Sequence, residues 1–275
     1  MSRAQPIRLR HVERLLTTLS DRDWAIVDSV DRLRLVSSSQ LERLHFHSFA
    51  TPHSRSVKRS HVLKRLADAR VLMPFERRVG SSQRGSEKLC YALDSAGLQL
   101  MRLRANADGR EQSVRRPRLP GERFVRHTLA VSELYVSLVE RTRIEQFTLV
   151  YFTVEHRAAV RDGLGGWIRP DALVRLRRAS VSDYWWIEVD LATESLPTVR
   201  TKLLAYLDFV VRGQLGPDNI IPRVLVGVPD ERRRVAVQRE VSTLPAPAAD
   251  MFWVTELADM AIVMEQILLV ESSPT

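Results

Sequence analysis

Residues 51–94 read TPHSRSVKRSHVLKRLADARVLMPFERRVGSSQRGSEKLCYALD, and within them the hydrophobic period changes from helical to alternating. Val62, Leu63, Leu66 and Ala69 recur at three- and four-residue spacing, which predicts a helix that starts after a turn at Thr51. The apolar runs VLMPFERRV and KLCYALD flank a Ser- and Gly-rich segment, SSQRGSE, which predicts a two-stranded hairpin. A helix followed directly by a hairpin is the local pattern that decides the fold of this part of the chain.

Two shorter helical patterns come before this stretch and one follows it. Ser20 is placed to cap DRDWAIVDSVDRL, and Ser38 or Ser39 is placed to cap QLERLHF. After the hairpin, SAGLQLMRLRA predicts another helix. Three helices and then a hairpin is the element order of a winged helix-turn-helix domain, whose third helix enters the DNA major groove. We therefore expect a winged helix-turn-helix DNA-binding domain over residues 1–105.

A Gly-, Pro- and charge-rich segment, residues 106–122, predicts a linker to a second domain over residues 123–275. In that domain, RFVRHTLAVSELYVSLVERT predicts a helix, and three strands follow at FTLVYFTVEH, WIRPDALVRLR and DYWWIEVDL. A helix from Leu196 to Val211 and a strand at IIPRVLVGVP complete an αβββαβ order, with a C-terminal αβα extension. The whole chain is expected to be α+β.

Positive charge is concentrated in the N-terminal part of the chain. Residues 1–123 hold 25 Lys and Arg against 13 Asp and Glu, whereas the remainder holds 17 against 20, from totals of 42 and 33. A polyanion at the first region would gain the sequence-independent electrostatic attraction that dominates non-specific DNA affinity. Double-stranded DNA is the partner that this distribution predicts.

Cysteine content and hydropathy exclude several other classes of protein. Cys90 is the single cysteine, so no internal disulfide can form, and the N-terminal residues lack the apolar segment of a secretory signal. The most apolar stretch, LLAYLDFVV, is too short to span a membrane and contains Asp208. We expect a cytoplasmic protein that does not bind membranes.

Arginine and lysine side chains mark the expected DNA-reading face, because these residues bind guanine edges and phosphates. Four of these residues lie on the third helix outside its apolar stripe, and four more lie around the tip of the hairpin. The alternatives are a solvated basic surface or a winged helix that serves dimerisation. The candidate DNA-binding residues are Arg55, Lys58, Arg59, Arg65, Arg77, Arg78, Arg84 and Lys88.

Acidic residues occupy specific places on the predicted strands of the second domain. Asp171 follows Pro170 in the second strand, and Glu188 and Asp190 end the third. Carboxylates that converge on Mg²⁺, with a lysine beside them, are what metal-dependent phosphodiester cleavage requires. The order of elements with Pro-Asp on strand two resembles the PD-(D/E)xK nuclease superfamily, the restriction-endonuclease-like fold.

The resemblance to nucleases assigns a role to each candidate catalytic residue. Asp171 and Glu188 would be the metal ligands, with Asp190 or a helix carboxylate, Glu133, completing the shell. The motif calls for lysine where this chain has Asp190, and Lys202 on the following helix is the residue that would replace it. The alternative is a degenerate nuclease fold that is kept for DNA binding or assembly.

Three blocks of the chain resemble a known family. They are the Ser-rich turn with LERLHF, then RHTLAVSEL, then WWIEVDLATESLPTVRTKLLAYL. Together they are similar to the replication-relaxation family of plasmids and integrative elements, from Leu19 to about Asp230. Arg70 departs from the family pattern, which has a Gly-like residue at the end of the recognition helix.

The resemblance implies a sequence-specific DNA-binding protein that acts in replication initiation or in DNA relaxation and mobilisation. Replication or mobilisation proteins are then the expected partners. Two alternatives stay open: a Mg²⁺-dependent endonuclease or nickase, and a transcriptional repressor. A repressor would require a symmetric dimer with recognition helices about 34 Å apart. The apolar C-terminal helix at ELADMAIVMEQILL could form the seam of such a homodimer or cap the sheet.

Overall fold

The computed structural model describes residues 9–76, 89–107 and 121–272. These residues form ten α-helices and ten strands, so the chain is α+β, as predicted. The predicted linker lies mostly outside the described residues, as do Arg77, Arg78, Arg84 and Lys88. The helices are α1 (Leu9–Thr18), α2 (Asp21–Leu33), α3 (Ser38–His45), α4 (Pro52–Asp68), α5 (Ser95–Ala107), α6 (Glu122–Thr142), α7 (Leu196–Val211), α8 (Glu231–Ser242), α9 (Ala248–Met251) and α10 (Met260–Glu271). The strands are β1 (Val36–Ser37), β2 (Leu72–Glu76), β3 (Leu89–Leu93), β4 (Thr148–Val154), β5 (Val160–Arg161), β6 (Trp167–Ile168), β7 (Ala172–Arg178), β8 (Val181–Val189), β9 (Arg223–Val228) and β10 (Phe252–Glu256).

The chain divides into two compact units, Met1–Ser132 and Glu133–Thr275. The division falls inside α6, because the first half of that helix packs on the N-terminal unit. Val125 and Leu129 share a buried cluster with Leu35, and the Leu129 carbonyl accepts a hydrogen bond from the Gln40 side chain at 3.0 Å. α6 therefore supplies core residues to the first unit.

Side-chain caps define where the helices of the first unit begin. Capping boxes at Ser20, Ser37 and Thr51 satisfy the free backbone N–H groups at the starts of α2, α3 and α4. The cap of α3 was predicted at Ser38 or Ser39, but both lie inside the helix. Ser37 is the cap because its hydroxyl oxygen accepts a hydrogen bond from the backbone N–H of Gln40, and the Gln40 side chain accepts one from the Ser37 backbone N–H in return.

A small antiparallel sheet completes the first unit, with strand order β1-β3-β2. β2 and β3 are the two strands of the predicted hairpin, and β1, which the sequence did not predict, pairs with β3. Helices α2, α3 and α4 pack together through side chains that are almost fully buried. The largest of these are Ile26, Leu33, Leu41, Phe46, Leu63 and Leu66.

The second unit is built on a five-stranded sheet with the order β10-β9-β8-β7-β4. β8, β9 and β10 are parallel, whereas β7 is antiparallel to both β8 and β4. Trp186 packs on one face against Tyr206 and Phe209 of α7. Trp185 points to the other face, where it contacts Trp253.

The predicted second strand of this unit is shorter than the sequence pattern indicated. Residues Trp167–Ile168 form β6, which pairs with β5 in a separate two-stranded hairpin, and the main strand begins at Ala172. Pro170 and Asp171 therefore precede β7 instead of lying within it. A proline has no N–H for the ladder and fixes its φ angle, so a strand is expected to begin after it.

Among the described residues, no helix combines the length and the apolar character needed to cross a membrane.

Candidate functional site

The exposed face of α4 is mostly polar and basic, although Val57 on this helix is also exposed. Thr51 caps the helix and Pro52 occupies its first turn, where no acidic residue is present. The exposed side chains include His53, Lys58, His61 and Lys64. The sole acid of the helix, Asp68, is paired with Lys64 at 2.7 Å at the far end. The N-terminal two thirds of this face therefore present cations and hydrogen-bond donors without a competing carboxylate.

Arg59 lies inside the first unit, although the sequence analysis placed it outside the apolar stripe of α4. It is 4% exposed, and its guanidinium donates to Glu42 at 2.7 Å and to Ser56 at 3.1 Å. The reason is its position three and four residues before Val62 and Leu63, which puts it on the inward face of the helix. Arg59 joins α4 to α3 and is removed from the candidate DNA-binding surface.

Arg55 and Arg65 lie between the buried and exposed faces of α4. Arg55 is half-buried, and the side chain of Arg65 is 46% exposed while its guanidinium contacts Asp23 at 2.5 Å. Burial opposes ionisation of Asp23, but the hydrogen bonds from Arg65 and Ser20 outweigh it and lower its pKa. Lys58 is thus the predicted DNA ligand that is most freely presented on the described part of this helix.

A second candidate site lies where β8 approaches its end. Asp171 precedes β7, whose first residue, Ala172, pairs with Ile187, the residue before Glu188. The backbone N–H of Asp171 donates to the Ile187 carbonyl at 2.9 Å. One carboxylate oxygen of Asp171 accepts from the backbone N–H of Val189 at 2.7 Å. Burial and the charge of Asp171 raise the pKa of Glu188, so the two carboxylates are near neighbours at this end of the sheet.

Glu188 is enclosed by side chains of α7 and of the loop before it. The hydroxyl of Tyr206 donates to Glu188 at 2.5 Å, and the ammonium of Lys202 lies 3.9 Å from the other carboxylate oxygen. Lys202 also contacts Glu194 at 2.8 Å. Burial, followed by the charge of Asp171, raises the pKa of Glu188 to about 8. The environment of Glu188 therefore favours its protonated form more than water does.

The predicted lysine is close to Glu188, but it is shared with a residue that the sequence analysis missed. Burial opposes protonation of Lys202, yet the hydrogen bond to Glu194 and the charge of Glu188 raise its pKa. Glu194 belongs to the TES segment that precedes α7, and Tyr206 lies four residues after Lys202. The i, i+4 spacing on α7 is the signal that could have placed Tyr206 beside this site.

Asp190 and Glu133 do not join this pair in a set of metal ligands. Asp190 is bound by Arg233 at 2.6 Å and by the backbone N–H of Ala192 at 2.8 Å. Glu133 lies half-buried on α6. Within residues 9–76, 89–107 and 121–272, no three His, Cys, Asp or Glu side chains are grouped closely enough to hold a metal ion. Asp171 and Glu188 remain as a two-carboxylate pair with Lys202 beside it.

Comparisons with known proteins bear on both units. A family model described as replication-relaxation matches residues 27–224, a range that includes α4, Asp171, Glu188 and Lys202. A comparison with curated proteins gave no match. Because the family model covers well over half of the sequence, the chain belongs to the replication-relaxation family.

Proposed function

We propose that this protein binds double-stranded DNA in a sequence-specific manner through α4 and acts in replication initiation or relaxation of a plasmid or integrative element. The observation that carries the proposal is the exposed basic face of α4, with Lys58 at its centre. Membership of the replication-relaxation family suggests the process, replication or relaxation, in which this DNA binding would be used.

The arrangement of elements around α4 supports an insertion of this helix into a groove. α2 and α3 precede it and the β2–β3 hairpin follows it, which is the order found in winged helix-turn-helix domains. The inward residues of α4, including Arg59, fix the helix on the unit, so that the opposite face is held rigidly. A rigid helix with exposed cations suits the major groove, which admits one α-helix.

The test is duplex binding by a Lys58→Ala variant, with Arg239→Ala as a matched control that removes one exposed cation from α8 of the second unit. If Lys58 contacts a phosphate, its loss weakens all duplexes alike and reduces the slope of log affinity against log salt by about 1. If it contacts a base edge, sequence preference relaxes instead. Equal effects of the two variants would contradict the proposal, because they would show that duplex binding depends only on the net charge of the protein.

A second candidate function rests on the Asp171–Glu188 pair with Lys202 beside it. Although no three ligand side chains are grouped in the described residues, Mg²⁺ is commonly held by one or two carboxylates with waters and substrate phosphates, and the Asp171–Glu188 pair is compatible with that coordination. Bound Mg²⁺ would supply an activated water for phosphodiester cleavage, and Lys202 would stabilise developing negative charge. The outcome would be a nickase or endonuclease activity in the second unit.

The nuclease candidate is tested on supercoiled plasmid in Mg²⁺ or Mn²⁺. Wild type is compared with Asp171→Ala and Glu188→Ala, and with Asp250→Asn as a control for an exposed carboxylate on α9. Nicking that is lost in the first two variants and kept in the third supports the candidate. Binding of the plasmid without any nicking rejects it and leaves DNA binding as the function.

A further inference from the structure

The hairpin of β5 and β6 has two faces with different chemistry. Val160 pairs with Ile168, and both pack against the core that contains α7. Arg161 pairs with Trp167 at the next position. Because successive residues of a strand point to opposite faces, Arg161 and Trp167 lie on the outer face. The hairpin therefore holds an aromatic ring and a cation away from the core.

Trp167 is exposed to an extent that core packing does not explain. It keeps 44% of its surface accessible, and the guanidinium of Arg161 lies 4.9 Å from its ring centroid. Trp185 and Trp186 on the neighbouring sheet are fully buried. A cation–π contact holds the indole in place on the hairpin without burying it.

The segment that carries Trp167 is rich in arginine. Arg157, Arg161 and Arg169 are all exposed, and Asp162 is the only acid in residues 157–169. The carboxylate of Asp162 accepts hydrogen bonds from two backbone N–H groups of its own turn, those of Leu164 and Gly166. A fourth guanidinium, that of Arg212, donates to the backbone carbonyl of Asp162. This local excess of cations occurs although residues 124–275 carry more acids than bases.

We propose that the outer face of the β5–β6 hairpin binds an unpaired DNA strand, with one base stacked on Trp167 and phosphates beside Arg161, Arg169 and Arg212. Aromatic side chains combined with a basic surface are the usual means of binding single strands without sequence preference. The bases of an intact duplex are stacked on each other and do not offer a free face to the indole. A single strand is therefore favoured over a duplex at this surface.

The position of the hairpin relative to Asp171 gives the proposal a further consequence. Trp167 lies four residues before Asp171, so their Cα atoms are separated by at most roughly 14 Å. A strand held at Trp167 would pass close to the Asp171–Glu188 pair. The binding surface does not depend on whether that pair cleaves DNA, and it is distinct from the exposed face of α4.

The test is fluorescence anisotropy of a labelled oligothymidylate titrated with the full chain. Trp167→Ala is expected to weaken binding by roughly fivefold to a hundredfold, the loss of one stacked base, whereas Trp167→Phe retains most of the affinity. Leu164→Ala is the matched control, because Leu164 is 73% exposed at the tip of the same hairpin but carries no ring. We expect this control to bind like wild type.

Two outcomes would overturn the proposal. The first is unchanged oligothymidylate binding in Trp167→Ala. The second is an equal loss in Leu164→Ala, which would show that the ring of Trp167 makes no specific stacking contribution. Duplex binding is measured in parallel and is expected to depend on Lys58 but not on Trp167, so failure of the single-strand proposal is distinguishable from failure of the duplex proposal.

Discussion

Replacing Glu188 with glutamine should make the protein more stable at alkaline pH. In the folded state, burial and the nearby charge of Asp171 raise the pKa of Glu188 to about 8, against an ordinary value of 4.5. Glutamine keeps an oxygen that can accept the hydrogen bond from Tyr206, and it never ionises. The variant therefore removes the titration while it preserves the shape and the main contact of the side chain.

The sign and size of the effect follow from proton linkage. Between pH 4.5 and about 8 the folded state holds the proton of Glu188 and the unfolded state does not, so stability falls as pH rises. Each pH unit in this window lowers the free energy of unfolding by on the order of 1 kcal/mol, so the whole window corresponds to a few kcal/mol. Below pH 4.5 wild type and Glu188→Gln should be nearly equal, and above pH 8 the variant should exceed wild type by most of this amount.

The assay is urea denaturation of both proteins from pH 4.5 to 8.5, followed by tryptophan fluorescence. Trp186 reports on the correct unit, because its ring lies 5.2 Å from that of Tyr206. Burial also raises the pKa of Asp183. Because Asp183 is present in both proteins, its contribution cancels in the stability difference between them. A stability difference that does not change with pH would refute the reasoning.

Three further substitutions test the packing of the first unit by equilibrium denaturation. Arg59→Ala should cost about 3 kcal/mol, because it leaves Glu42 without its closest guanidinium; a cost below about 1 kcal/mol would show that the pair is not effectively buried. Ser37→Ala should cost about 1 kcal/mol through loss of the α3 cap, and Ser39→Ala much less; equal costs would contradict the cap assignment. Gly97→Ala should cost about 1–3 kcal/mol, because a Cβ there would clash with the backbone carbonyl oxygen of Val71, and a neutral effect would show that the helix shifts freely.

Long periodic segments could be predicted from the sequence, whereas the two-residue strands could not. α2 and α7 begin and end at the residues that their patterns indicated, because a full apolar stripe and a clear cap define each one. β1, β5 and β6 have two residues each, which is too short for an alternating pattern. The ten-residue α1 has two buried side chains, Val12 and Leu15, and so gives only one turn of periodicity.

The position of a site residue could be predicted where its residue type agreed with the face of the helix or strand on which it lies. Lys202 was placed beside Glu188 from its position on the helix after β8, and the structure brings their charged atoms to 3.9 Å. The exposure predicted for Arg59 is wrong, because Glu42 offers its guanidinium a partner in the interior and the charge therefore does not require contact with water. The contribution of Glu194 depends on a loop conformation that periodicity does not encode.

The loop between β8 and α7 owes that conformation to a residue far along the chain. Arg233 at the start of α8 donates to the carboxylate of Asp190 and to the carbonyl of Glu194, and Ala192 between them has a φ angle of 56°. A genetic screen for loss of a function that needs Lys202 would therefore return substitutions at Arg233 as well. Such substitutions would lie outside the EVD-x-x-TES segment, residues 188–195. Second-site suppressors of them would be sought in the loop between β8 and α7.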